Sequence, residues 1–244
     1  FPIEIDIKED LYINKIKFIL GNRKIVKSVT IAIDSTEQYK SLDEWDPRYG
    51  YYHFGGVGFE ASQDYWHVWT PFENTWTAPA DHLKIIPKNS VVLMFINYGP
   101  TAEAQKDSSV LRLYTSNRKE NSRLLHSSAL LDSSNITNKP FIIDPGEKKN
   151  FHLSKELTSD FTLYSISPQA QLICESIEVY AITPNENTIK LLRINDWDFH
   201  WKQKYYFNTP IDLPKGTVIH VLAKYNNSRN NLSNPANPPT KIRW

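Results

Sequence analysis

The chain has 244 residues, of which 40% are hydrophobic and 13% aromatic, and its 28 Lys and Arg against 27 Asp and Glu give a formal net charge of +1. This length suits two domains of roughly 100 to 150 residues, and the composition excludes the disordered and fibrous classes. Balanced charge supplies no basic excess for a nucleic acid or an anionic membrane surface, so we expect neither as a partner.

Short stretches rich in Ile, Val, Tyr and Phe recur along the chain and are separated by Gly, Pro, Asn or Asp, a pattern typical of β-strands. In chain order the predicted strands are YINKIKFIL (12–20), VKSVTIAID (26–34), SVVLMFINYGP (90–100), SVLRLYTS (109–116), FTLYSIS (161–167), ESIEVYAIT (175–183), TIKLLRI (188–194), KYYFNTPIDL (204–213) and TVIHVLAKY (217–225). Helical periodicity does not exceed two turns. The pattern predicts an all-β fold of antiparallel sandwiches. Every apolar run is far below the roughly 20 residues of a membrane span, so we expect none.

A polar stretch over 116–138 separates two groups of predicted strands. We therefore predict an N-terminal domain over 1–120 and a C-terminal domain over 121–244. After residue 225 the chain is rich in Asn and Pro, which predicts an ordered loop or an extended strap instead of regular strand.

Residues 163–184 read LYSISPQAQLICESIEVYAITP and alternate between apolar and polar side chains. The alternation predicts a half-buried strand with Gln169 and Gln171 on one face and Cys174 as a buried, unreactive thiol. In RINDWDFHW, the rings of Trp197, Phe199 and Trp201 also alternate with polar residues. We expect them either in a core or inter-domain seam, or in a stacking platform for sugars or bases.

Several longer segments resemble the copper type II ascorbate-dependent monooxygenases, the superfamily of peptidylglycine alpha-hydroxylating monooxygenase, and especially its bacterial members. The second half carries SPQAQ, DWDFHW, LPKGT and the NP-rich tail ending in RW, close to the family's Pro-His-x-His, DWDFNW, LPKGT and NP-rich RWG segments. In the first half, ILGNRKIVKSVTIAID, YYHFGGVGF and INYGPTAEAQKDSSV resemble further family motifs. The resemblance covers nearly the whole chain and implies two jellyroll-like sandwich domains packed side by side across a cleft.

The resemblance also implies where copper would bind, because family members hold two copper ions through five histidines and a methionine. The histidine positions correspond here to Lys27, Ser28 and Asn97 in the first domain, and to Gln169 and Gln171 in the second. All five histidines are replaced. The methionine of the family follows the RWG segment, and the given chain ends at Trp244, so we expect that ligand and its strand to be missing. We expect no metal, no cofactor and no catalytic residue.

The chain's own histidines and tryptophans are the remaining candidates for a replacement site. The seven histidines are His53, His67, His82, His126, His152, His200 and His220. None forms a His-x-His or helical (i, i+4) motif, so no new metal site is predicted at the level of motifs, although a site built from distant residues stays open. A candidate aromatic binding face consists of Trp66, Trp69, Trp197 and Trp201.

The resulting expectation is a non-catalytic, copper-free binding or structural subunit of an exported or cell-envelope assembly, in a bacterium. A chain that opens on Phe1 instead of Met fits a mature, secreted, periplasmic or cell-surface product. The expected partner is a protein, because a missing last strand leaves an edge suited to strand addition. Two alternatives remain: a copper-dependent oxidoreductase with atypical ligands, and a carbohydrate-binding module that contacts a glycan through its aromatic residues.

Overall fold

A computed structural model describes residues 1–3, 5–53, 57–71, 73, 75–127, 129–199, 201 and 203–243. The chain divides into two compact units, Phe1–Ala129 and Leu130–Trp244. The sequence predicted a boundary near residue 120, about ten residues earlier. Each unit consists of antiparallel sheets around its own apolar core, which confirms the predicted all-β sandwich class.

The first unit contains nine strands and one short α-helix in the described residues. The strands are β1 Pro2–Ile3, β2 Leu11–Ile19, β3 Val26–Asp34, β4 Gln63–Trp69, β5 Thr75–Thr77, β6 His82–Ile86, β7 Val91–Tyr98, β8 Val110–Thr115 and β9 Arg123–Leu124, and the helix is α1 Tyr39–Trp45. One sheet has the order β1-β7-β3-β4. In the other, β2 pairs with β8 along one edge and with β5 and β6 along the other, and β9 adds to β6 as the one parallel pair among these strands.

The core of the first unit lies between these two sheets. On β3, Val29, Ile31 and Ile33 alternate inward, each fully buried against the ring of Trp66 and its neighbours. The opposite face of the same strand is also covered, because Ala32 packs with Tyr39 of α1 in a smaller apolar cluster. Burial on both faces explains why the predicted strand over 26–34 is found with the same bounds.

The second unit contains eight strands and a 3-10 turn in the described residues. The strands are β10 Ile142–Ile143, β11 Lys148–Glu156, β12 Phe161–Ile166, β13 Cys174–Ile182, β14 Thr188–Ile194, β15 Tyr205–Leu213, β16 Val218–Asn226 and β17 Ile242–Arg243, and the 3-10 turn is Ser133–Asn135. A four-stranded sheet has the order β11-β16-β13-β14, while β12 pairs with β15 and β10 with β17. Phe151, Ile177 and Ile219 point from the four-stranded sheet into a single core.

The Asn-rich tail is held by one buried side chain. Asn227 is fully buried and its Nδ2 donates to the carbonyl oxygens of Ile143, Asp144 and Thr240 at 3.1, 3.1 and 2.8 Å. Its Oδ1 accepts a 2.9 Å bond from Asn234 Nδ2. The tail is thus largely loop, as predicted, and it returns to the unit as β17.

Cys174 is the one cysteine of the chain and lies at the start of β13, 4% exposed and free. Burial raises the pKa of its thiol to about 12, so the thiolate is not populated at neutral pH. This confirms the predicted buried, unreactive thiol.

In the described residues the longest α-helix is α1, with seven residues. No helix there has both the length and the apolar character that a membrane crossing requires.

Candidate functional site

The structure brings together two of the three first-unit positions that correspond to copper ligands. Ser28 on β3 and Asn97 on β7 are directly opposed partners, and Asn97 Nδ2 donates to Ser28 Oγ at 3.1 Å. Because side chains alternate between the two faces of a strand, Ser28 lies on the same sheet face as Ala32. Ala32 is part of the smaller apolar cluster. The two side chains therefore lie together on the sheet face that points away from the sandwich core.

Lys27 is the extra residue of a β-bulge, because the pairing of β3 with β7 shifts register between Val26 and Ser28. Its side chain is exposed, runs over Gly99 and directs Nζ to the carbonyl oxygen of Lys24 at 3.4 Å. The ammonium group therefore points away from the Ser28 and Asn97 pair.

The two glutamines of the second unit are not on a strand. The prediction that the alternation over 163–184 places Gln169 and Gln171 on a strand is wrong, since β12 ends at Ile166 and β13 begins at Cys174. The separate strands predicted at 161–167 and 175–183 are found. Pro168 lies just after the break, and proline has no backbone N–H to continue a ladder. Gln169 and Gln171 are exposed in the connection, where the Gln171 carbonyl accepts a 3.1 Å bond from the Cys174 N–H.

The chemistry of these five positions does not fit a copper centre. Amide groups are poor copper donors, a hydroxyl is a weak ligand, and a lysine ammonium at neutral pH has no lone pair to offer. The Ser28 and Asn97 groups satisfy each other by hydrogen bonding. The five side chains at the positions where the resemblance implies copper ligands are therefore not a copper donor set.

The candidate aromatic face requires a correction. Trp66 and Trp69 are each 1% exposed and Trp197 is 7% exposed, so all three are core side chains. Only Trp201 is accessible, at 48%. The reason is local: β4 places both of its tryptophans in the sandwich core, since its pairing with β3 shifts register between His67 and Gln63. The segment after β14 is not a strand, so it cannot place Trp197, Phe199 and Trp201 on one face. His200, between these residues, lies outside the described part of the chain.

Exposed aromatic side chains are instead concentrated at the end of α1, a surface that the sequence analysis did not predict. Trp45, Tyr49 and Tyr52 are 90, 85 and 73% exposed. Arg48 and Asp46, in the same segment, form a bidentate ion pair. Arg48 Nε donates to Asp46 Oδ1 at 2.8 Å, and Arg48 Nη2 donates to Asp46 Oδ2 at 2.6 Å. We call Trp45, Asp46, Arg48, Tyr49 and Tyr52 the 45–52 patch.

The 45–52 patch has a fixed polar centre. The Asp46 side chain also accepts hydrogen bonds from the backbone N–H groups of Arg48 and Tyr52. The pKa of Asp46 is held well below its usual range, mainly by the hydrogen bond from the Arg48 side chain. An open depression of about 430 Å³ lies beside it, lined by Leu42 and Tyr51 among others. The sequence feature that could have revealed this surface is the segment DEWDPRYGYY. It contains four aromatic residues around a proline and a glycine and does not alternate as a strand does.

Two histidines that are far apart in sequence meet on the second unit. His152 on β11 and His220 on β16 are separated by 68 positions, yet His152 Nε2 lies 2.9 Å from His220 Nδ1. Their rings are stacked, and Tyr180 on β13 stacks on His220 at 4.9 Å. Burial, followed by the nearby charge of His152, lowers the pKa of His220. Sequence motifs could not reveal this pair, because it depends on strand register.

Comparison with known proteins adds no assignment. No protein-family model matches the chain, and no curated protein matches it. The resemblance to the copper monooxygenases thus rests on the motifs of the sequence alone.

Proposed function

We propose that this protein is a non-catalytic, copper-free β-sandwich protein that acts as a binding or structural subunit of an exported or cell-envelope assembly. The observation that carries the proposal is the donor set at the copper positions. Ser28 and Asn97 hold the opposed-strand geometry of a two-ligand site but bond to each other through an amide and a hydroxyl. A rigid β-sandwich without metal ligands can still present surfaces that bind a partner.

The 45–52 patch is the surface we propose for a protein partner. Trp, Tyr and Arg are the residue types that dominate binding energy in protein interfaces, and the patch contains one Trp, two Tyr and one Arg. The Arg48 guanidinium is already held by Asp46, so little side-chain entropy is lost when a partner contacts it. Large exposed aromatic side chains grouped in this way mark interaction sites more often than chance exposure does.

The small sheet of the second unit offers a further surface for a protein. Among the described residues, β12 and β15 pair only with each other, so each has an outer edge without a partner strand. An extended segment of another chain can add to such an edge through backbone hydrogen bonds.

Restoring histidines tests the non-catalytic assignment. Opposed positions on antiparallel strands hold their Cβ atoms about 5 Å apart, so two imidazoles at 28 and 97 can reach one ion. We expect the Ser28→His/Asn97→His chain to bind one more equivalent of Cu²⁺ than the wild type in equilibrium dialysis with metal analysis. Gln169→His/Gln171→His is the matched control, and we expect weaker binding there because no strand ladder holds that connection.

The opposite result in the same assay would support the oxidoreductase alternative. If the wild-type protein keeps stoichiometric copper through purification and Ser28→Ala/Asn97→Ala removes it, the amide and hydroxyl are functional donors. The copper-free assignment is then rejected.

Alanine substitution tests the role of the 45–52 patch. A photo-crosslinking residue in place of the exposed Glu44, next to Trp45, is introduced in the source cells and identifies the partner, and affinity is then measured with the purified pair. We expect Trp45→Ala to weaken binding about 30-fold, equivalent to about 2 kcal/mol. Trp201→Ala is the control, because that ring is also exposed but lies in the other unit. Equal losses in both variants, or no loss in either, contradict the assignment.

A carbohydrate ligand is the second candidate for this surface, because accessible Trp and Tyr rings also stack on sugars. Glycan-array binding that disappears in Trp45→Ala and persists in Trp201→Ala would favour a carbohydrate-binding module. The protein-partner proposal is supported instead when the array is negative and the crosslinked partner depends on Trp45.

A further inference from the structure

The outer face of the four-stranded sheet in the second unit carries two imidazole side chains whose facing nitrogen atoms lie close together. Phe151 and Ile219 point into the core, so their neighbours His152 and His220 point outward. On the paired strands His220 lies opposite Ser154, one diagonal step from His152, and the two facing nitrogens are 2.9 Å apart. Both side chains are half-buried, so the pair is held by the sheet and is still open to solvent.

We propose that His152 and His220 form a binding site for a divalent transition-metal ion, in which His152 Nε2 and His220 Nδ1 are the protein ligands. The site is separate from the five positions that correspond to copper ligands, and it does not depend on the proposed function. It would exist even if the protein proved to have another role.

The spacing of the two nitrogens fits adjacent coordination positions. Imidazole nitrogens bind such ions at about 2.0 to 2.1 Å. Two nitrogens 2.9 Å apart at that bond length subtend roughly 90° at the metal, which is the angle between neighbouring ligands in tetragonal or octahedral geometry. Such geometry suits Cu²⁺ and Ni²⁺ better than the tetrahedral arrangement that Zn²⁺ prefers. In the ion-free protein the His220 Nδ1–H donates to His152 Nε2, so binding requires that proton to move to His220 Nε2 and each ring to turn by roughly 45° before both lone pairs face one ion.

Thr137 fixes the tautomer of His152 that a metal site requires. The Thr137 hydroxyl donates to the backbone oxygen of His152 at 3.1 Å, so it accepts from the His152 Nδ1–H at 2.8 Å. The proton then lies on Nδ1, which leaves the Nε2 lone pair directed at His220. Metal-binding histidines characteristically donate their second ring N–H to such an acceptor.

The site offers an ion only two protein ligands. Within the part of the chain that the structure describes, no group of three or more His, Cys, Asp and Glu residues is placed to hold a metal. Tyr180 covers one face of the His220 ring, and the remaining coordination positions are open to water. We therefore expect an exchangeable site instead of a structural one, with binding that leaves the fold unchanged.

Titration of the full chain with Ni²⁺ tests the proposal. We expect one saturable equivalent for the wild type by isothermal calorimetry, and at least a tenfold weaker Kd for His152→Ala and for His220→Ala. His126→Ala is the matched control, because that histidine is exposed, and we expect its Kd to stay within about twofold of the wild type. Thr137→Val keeps both ligands but removes the acceptor of Nδ1–H, and we expect about a tenfold loss.

Two results would overturn the proposal. One is the absence of saturable Ni²⁺ binding by a wild-type chain whose circular dichroism shows it to be folded. The other is equal affinity of the wild type and His220→Ala. The histidines would then be a hydrogen-bonded stack without a ligand. A rise in melting temperature with Ni²⁺ in the wild type, absent from His152→Ala, would independently support the site, since an ion that binds only the folded state stabilises it.

Discussion

Replacing Asn227 with alanine is expected to lower the free energy of unfolding of the second unit by about 3 kcal/mol. The substitution removes the amide that donates to three backbone carbonyl groups, those of Ile143 at the end of β10, of Asp144 just after it, and of Thr240 in the tail before β17. A buried carbonyl that loses its partner costs about 1 to 3 kcal/mol, and Asn227 is fully buried. Native-state hydrogen exchange of β10 and β16 measures the effect.

The controls separate the hydrogen bonds of Asn227 from the general loss of an asparagine. Asn185→Ala lies in the exposed turn before β14, and we expect a change within about 0.5 kcal/mol. Asn227→Asp keeps the oxygen that accepts from Asn234 but loses the donor, so it should be about as destabilising as alanine. A loss below about 1 kcal/mol for Asn227→Ala would show that water replaces the amide and that the tail is held mainly by other contacts.

The pattern of apolar and polar residues predicted most of the strands, because burial of one or both faces of a strand determines which positions are apolar. The segment 26–34 became β3 with its predicted bounds, and the segment 217–225 became β16 shifted by one residue. The pattern failed where backbone chemistry overrode it. Pro168 interrupts the alternation that continues through Gln169 and Gln171, so these two residues lie in the connection between β12 and β13 and not on a strand.

The candidate site could be predicted from sequence only where its geometry is local. The bulge at Lys27 was not visible in the sequence, and the contact of Ser28 with Asn97 depends on the register in which β3 and β7 pair. The contact between His152 and His220 requires β11 and β16 to pair in one register, because a shift of one residue would turn one ring into the core. No spacing rule within a single segment carries that information.

Aromatic residues were the hardest class to place, because the same side chain serves a core and a binding surface. Trp66 and Trp69 occur three positions apart in a strand that packs on another sheet, and both are buried. Trp45 ends a two-turn helix, where the adjacent residues Asp46 and Pro47 stop the element and leave the ring in solvent. Whether each tryptophan is buried or exposed depends on which part of the protein packs against it. Composition and alternation do not specify that.

This contrast gives the prediction with the largest effect. We expect Trp66→Ala to destabilise the first unit by about 4 kcal/mol, whereas Trp45→Ala should change its stability by less than about 0.5 kcal/mol. Trp66 fills the space between the two sheets and its Nε1–H donates to the Ile85 carbonyl at 2.9 Å. The alanine variant therefore loses the packing of a large ring, leaves a cavity and frees a backbone acceptor. Urea unfolding followed by hydrogen exchange on β3 and β4 measures both variants.

Trp66→Phe separates packing from hydrogen bonding at the same position. Phenylalanine retains most of the apolar ring but cannot donate to Ile85, so we expect an intermediate loss of about 2 kcal/mol. Since the total stability of a domain is about 5 to 15 kcal/mol, the alanine variant should also show exchange in the strands next to β4 at conditions where the Trp45 variant is protected. Similar losses at positions 45 and 66 would mean that the ring of Trp45 is packed in solution, and the 45–52 patch would then no longer be available to a partner.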